Sequence, residues 1–133
     1  MPSTSPAPAP LPQSQRSADP GQILAKATWR AAQLLGLSGA ALARVIGVSE
    51  ATVSRLARGE RPLPPQSKEG QLAALLVRMF RSLDALVGND AAQAAAWMGS
   101  HYDALNGVPR ELIESPQGLV TAVLYLDSMR AAS

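Results

Sequence analysis

Few residues in this chain have side chains suited to catalysis. Its 133 residues include no cysteine and one histidine, His101. Without thiols there is no disulfide, thiolate metal site or cysteine nucleophile. One histidine also excludes a multi-histidine metal site. Ser100 and Asp103 flank His101. On one helix, neighbours one and two positions apart point in different directions, so these three do not form a triad by themselves. Glu111 and Glu114 stand one turn apart, the spacing of an acid–base pair. No glycine or aromatic cluster accompanies them to shape a pocket, and they read as a solvated acidic face or a contact to a basic partner. No glycine-rich phosphate loop occurs. The expectation is no catalytic residue, no metal and no cofactor.

The second set of candidates is basic. Arg44, Arg55, Arg58 and Arg61 fall within eighteen positions, interleaved with Ser49, Glu50, Ala51, Thr52 and Ser54. A guanidinium matches guanine O6 and N7 bidentately, which suits Arg55. Arg44, Arg58 and Arg61 suit phosphates, and Ser49 stands where a helix start offers backbone N–H groups. For these side chains to act together, two short helices must carry them. Ser38 caps the first, with Leu42, Ala43 and Ile46 facing inward. Gly47 breaks it, and Ser49 caps the second, with Val53 and Leu56 inward and Gly59 as its end. Small Ala43 permits the close crossing of a helix-turn-helix. Glu50, Ala51, Thr52, Ser54 and Arg55 are then the exposed positions near base edges.

The remaining elements support this pair. Residues 1–19 form a proline-rich tail, expected to be polyproline II or disordered. Asp19-Pro20 opens a first helix whose stripe is Ile23, Leu24, Ala27, Ala31, Leu34 and Leu35, with Trp29 off it. Arg61-Pro62-Leu63-Pro64-Pro65 is a stiff linker. Leu72, Leu75, Leu76, Met79, Phe80, Leu83, Leu86 and Val87 recur at steps of three and four, predicting a long helix over 67–87. Asn89 is expected to cap a helix from Asp90 to about Leu105. Pro109 starts a short helix to Glu114, and Ser115-Pro116 starts the last, to about Arg130. Aromatics are only 4%, so leucine, valine and alanine must fill the core. The fold class is all-α: a helix-turn-helix unit (20–66) joined by a long helix to a small helical unit (67–133).

Leu42-Ala43, Gly47-Val48-Ser49, Thr52-Val53-Ser54-Arg55 and Gly59-Glu60-Arg61 resemble the helix-turn-helix of the Xre and Cro-repressor family. Trp97-Met98, Leu105-Asn106-Gly107, Pro109, Leu112-Ile113, Ser115 and Gly118 resemble the toxin-binding domain of the Xre/MbcA/ParS antitoxins, which commonly have threonine where Ser115 stands. The resemblance implies a type II antitoxin that represses its own operon and blocks a RES-type, NAD-consuming toxin. It implies toxin contacts at Leu105, Gly107, Pro109, Arg110, Glu111 and Glu114, and, near the toxin's pocket, Asp127, Arg130 and Ser133. The alternative is a stand-alone repressor whose second half dimerises or senses a ligand.

Charge divides in the same way. Up to Ser82, ten Lys or Arg face four acids, net +6; from Leu83 onward, two face six, net −4. This suits a polyanion for the first half and a basic surface for the second. A single helix-turn-helix unit buries little, so a homodimer on operator DNA is expected. No apolar run reaches the roughly 18 residues of a membrane span, and the start lacks signal-peptide order, so a cytoplasmic location is expected.

Overall fold

The computed structural model describes residues 19–132; the expected proline-rich tail, apart from Asp19, and Ser133 lie outside them. Within them lie α1 (Pro20–Leu34), α2 (Gly39–Ile46), α3 (Glu50–Ala57), α4 (Lys68–Leu86), α5 (Ala91–Met98), a 3-10 turn (Asp103–Leu105), α6 (Pro109–Leu112) and α7 (Pro116–Ala132). No strand occurs among the described residues; Tyr102 and Gly107 form one isolated antiparallel bridge. The all-α expectation holds.

Caps explain most of the boundaries. Asp19, Ser38, Ser49 and Ser67 each accept the N–H three residues ahead with the side chain. Such a bond satisfies one of the donors a helix start leaves unpaired. The last two long helices share a device. Ser67 Oγ donates to the Pro64 carbonyl at 2.7 Å and accepts from Gly70 N–H at 3.0 Å. Ser115 Oγ does the same with Leu112 and Gly118, at 3.3 and 3.0 Å. In both, a Cβ on the glycine would collide with the carbonyl oxygen that the serine holds. Only glycine lets the chain fold back this tightly onto its own helix start.

One core runs through the chain. Leu35, Leu42, Ile46 and Leu63 join Leu76, Met79 and Leu83 of α4, and Met98, Ile113, Leu119 and Leu126 complete it. α4 is the spine: its most extensive packing is against α7 on one side and α1 on the other. Ser82 of α4 is fully buried and donates to Asp127 Oδ1 of α7 at 2.8 Å, while Asp127 also pairs with Arg78.

Three local expectations change. First, α1 buries Gly21, Ala25, Thr28, Ala31 and Ala32, leaving Ile23 51% exposed. The small face wins because the linker lies against it: Leu63 N–H bonds to Gly21 O at 2.9 Å, and a Cβ on Gly21 would stand 3.1 Å from Pro62 Cβ. The proline segment is therefore packed, with Leu63 in the core. Thr28 is tolerated there because its hydroxyl donates to Leu24 O at 2.6 Å. Second, Asp90 rather than Asn89 caps α5, accepting from Gln93 N–H at 3.1 Å. Asn89 has φ of 64°, a left-handed backbone incompatible with the extended cap position. Third, α5 stops at Met98. Trp97 stacks on Tyr102 with ring centroids 5.3 Å apart, and Tyr102 N–H bonds to Gly107 O at 3.0 Å. These contacts turn 99–108 into a compact loop. Trp29 packs, half-buried, against the core.

Candidate functional site

The basic cluster is built on α2 and α3. Gly47 ends α2 with φ of 74°, a left-handed turn that brings Ser49 around to start α3. Val53 and Leu56 hold α3 down on the core, so Glu50, Ala51, Ser54, Arg55 and Arg58 point outward. Ser49 is exposed, and its Oγ is used as the cap, 3.1 Å from Thr52 N. Thr52 departs from expectation: it is buried rather than exposed. At the third helical position its hydroxyl turns back onto the cap, 3.0 Å from Ser49 Oγ, as in a reciprocal capping arrangement. Its oxygen also takes a 3.4 Å contact from Arg55 Nη2, so Thr52 steadies that arginine.

The four arginines are not equivalent. Arg55 and Arg61 line one shallow depression of about 380 Å³ with Glu60 and Glu69. Arg58 forms a two-pronged pair with Glu60, Nε to Oε1 and Nη2 to Oε2, each 3.1 Å. That hydrogen bonding holds the Glu60 carboxyl below its ordinary pKa and raises Arg58. Arg44 is exposed at the end of α2 and pairs with Glu114 at 2.8 Å, a link of seventy positions between the two halves. The pairing raises the Arg44 pKa, chiefly through the hydrogen bond.

In the second half the expected contact residues separate into two groups. Leu105 and Pro109 are buried. Gly107 is half-buried against Leu112, where a Cβ would come within 3.1 Å. Leu105 and Pro109 hold the 99–113 segment to the core, because apolar side chains beside a tight turn gain more there than in water. Arg110 and Glu111 are exposed on α6, and the Arg110 guanidinium lies over Gly99 at the end of α5. Glu114 is half-buried and committed to Arg44. Asp127 is half-buried and its carboxyl is held below the usual carboxylate range, first by the Ser82 hydroxyl and then by Arg78. Arg130 Nη1 reaches Ser82 Oγ at 3.3 Å. Asp127 and Arg130 therefore tie α7 to α4. Ser133 lies outside the described residues.

Val120 and Leu124 of the last helix are exposed and were not among the expected toxin contacts. They stand one turn apart on α7, 41% and 59% exposed, while Leu119, Val123 and Leu126 fill the core. α7 carries apolar residues nearly all round, and that excess over one buried stripe was the available signal.

No group of three or more His, Cys, Asp or Glu side chains is placed to hold a metal among the described residues. No helix among them is long and apolar enough to cross a membrane. Residues 14–78 match the antitoxin Xre-like helix-turn-helix domain, and residues 82–131 match the antitoxin Xre/MbcA/ParS C-terminal toxin-binding domain. The first match ends and the second begins within α4. A search of curated proteins finds no match.

Proposed function

The chain belongs to the Xre/MbcA/ParS antitoxins, and from that premise we propose that it blocks a RES-type, NAD-consuming toxin and represses its own operon. Operator reading falls to α3, with Arg55 at a guanine, Ser54, Ala51 and Glu50 facing the neighbouring base edges, and Arg58, Arg61 and Arg44 on phosphates. The Ser49 end of α3 offers backbone N–H groups to a phosphate. Repression is assigned to a homodimer on paired half-sites in the cytoplasm, since one such helix buries too little for specificity at physiological salt.

The single observation behind the toxin assignment is the face left bare in the C-terminal half. Val120 and Leu124 expose an apolar patch on α7 within the half that carries Glu111 and a net charge of −4. An exposed apolar patch in a half of net negative charge suits a partner whose own surface is basic, as a pocket that binds a dinucleotide pyrophosphate must be. The C-terminal end of α7 and Ser133, the next residue in sequence, are assigned to the neighbourhood of that pocket.

The test is co-expression with the toxin gene beside it, followed by mass measurement of the complex and an NAD-consumption assay. Leu124→Asp should release the toxin while leaving the helical content unchanged. Removing 131–133 should leave the complex assembled, because Asp127 and Arg130 still hold α7 to α4, yet restore NAD loss. Full suppression by both variants would remove α7 from the toxin interface. Footprinting on the chain's own promoter tests repression separately.

A further inference from the structure

The helix faces turned away from the core leave one prominent apolar groove, which meets the toxin-assigned end of α7 only at Asp127 and Arg130. It runs between α1 and α7 over α4 and encloses about 750 Å³, with Ile23, Leu24, Ala27, Ala74 and Val77 as its apolar lining. On the far side of the same Ile23–Ala27 ridge lies a second depression of about 700 Å³, bordered by Lys26 and Arg30. The ridge is why Ile23 is half exposed: α1 turned its small face inward and its large one out.

The rim of this double groove is cationic. Lys26, Arg30, Arg78, Arg81 and Arg130 border it, against one acid, Asp127, which is already bonded to Ser82 and Arg78. Lys26, Arg30 and Arg81 make no ion pair among the described residues and are exposed. An apolar floor bordered by the three exposed cations Lys26, Arg30 and Arg81 is complementary to an apolar helix face flanked by carboxylates. We propose that this groove docks an acidic amphipathic helix of a protein partner, with its apolar side chains on either side of the Ile23–Ala27 ridge. The α4 stretch from Ala74 to Ser82 runs about 12 Å, room for roughly two turns of such a helix.

Charge decides between occupants. A second copy would bring the same five cations to face these five. The chain's own residues 1–18 contain no acid and one arginine, Arg16. DNA would satisfy the rim but leave the apolar floor facing phosphates. An acidic helix satisfies both.

The probe is a 14-residue synthetic helix with leucines at i, i+3, i+4 and i+7 and glutamates on both flanks; its control carries lysines in place of the glutamates. Isotope-labelled full chain is titrated with each. The glutamate peptide should shift the resonances of Ile23, Ala27, Ala74 and Val77 and bind about tenfold or more tightly than the lysine peptide. Arg81→Glu should weaken the glutamate peptide and strengthen the lysine peptide, a crossed response that misfolding does not produce. Ala74→Glu should abolish the shifts with circular dichroism unchanged. Equal binding of both peptides, or shifts confined to other helices, would overturn the assignment. So would duplex DNA shifting the same four residues, or a dimer that Ala74→Glu dissociates in sedimentation.

Discussion

Arg55 and Arg58 are neighbours on one helix with different surroundings, and that difference separates their roles. Arg55 is steadied by Thr52 but keeps its outer guanidinium edge open. On the proposed operator, Arg55→Ala should cost about 1–3 kcal/mol and relax discrimination at one base pair. Arg58 is shared with Glu60, which must release it before a phosphate can be bound. Arg58→Ala should weaken all sequences alike and lower the salt slope by about one. Glu60→Gln should do the opposite, raising affinity on every sequence. Fluorescence anisotropy across a salt series, with specific and scrambled duplexes, reads all three. The exposure of Arg55 and Ser54 was legible from helical spacing alone. The burial of Thr52 was not, because a hydroxyl at the third helical position can face water or its own cap, and spacing does not choose.

At the scale of elements, the way α7 is anchored gives two further tests. Gly118 lies against the Leu112 carbonyl, so Gly118→Ala must open the turn before α7. It should destabilise by about 1–3 kcal/mol, and the matching Gly70→Ala by a similar amount, in urea unfolding. Asp127 makes the anchor sensitive to acid. Its carboxyl titrates below the unfolded value, so its contribution is fully present above about pH 4 and is lost as pH falls through the depressed value. Asp127→Asn should be less stable than the parent at pH 7, with the gap closing in acid. The long stripe of α4 and the Ser-Pro start of α7 were readable because they rest on local signals. The inward face of α1 and the end of α5 depend on the Leu63–Gly21 bond and the Trp97–Tyr102 stack, partners distant along the chain or across a loop that periodicity does not specify.

For the whole molecule, the shared core sets what can be taken apart. Leu42, Ile46 and Leu63 pack into the same cluster as Leu76, Ile113 and Leu126. A fragment lacking 1–66 would leave that side of α4 bare, so it should lose helicity in circular dichroism rather than survive as a separate unit. Trp29 and Trp97 report from opposite halves; single-tryptophan chains made by Trp29→Phe and Trp97→Phe should give superimposable denaturation curves. The charge split between the halves, readable from composition, did not reveal this common core. Nor did it reveal the Arg44–Glu114 bridge, which has a consequence of its own. Each member is a resource for a different surface, and while they hold each other neither is fully available outside. A ligand that engages Glu114 returns the Arg44 guanidinium to solvent, and a phosphate that captures Arg44 returns the Glu114 carboxylate. By thermodynamic reciprocity the two occupancies must favour each other by the same factor. A chain carrying Arg44→Gln and Glu114→Gln together should bind its two partners with no such term, and the exchanged pair, Arg44→Glu with Glu114→Arg, should keep the bridge while weakening both partners' binding.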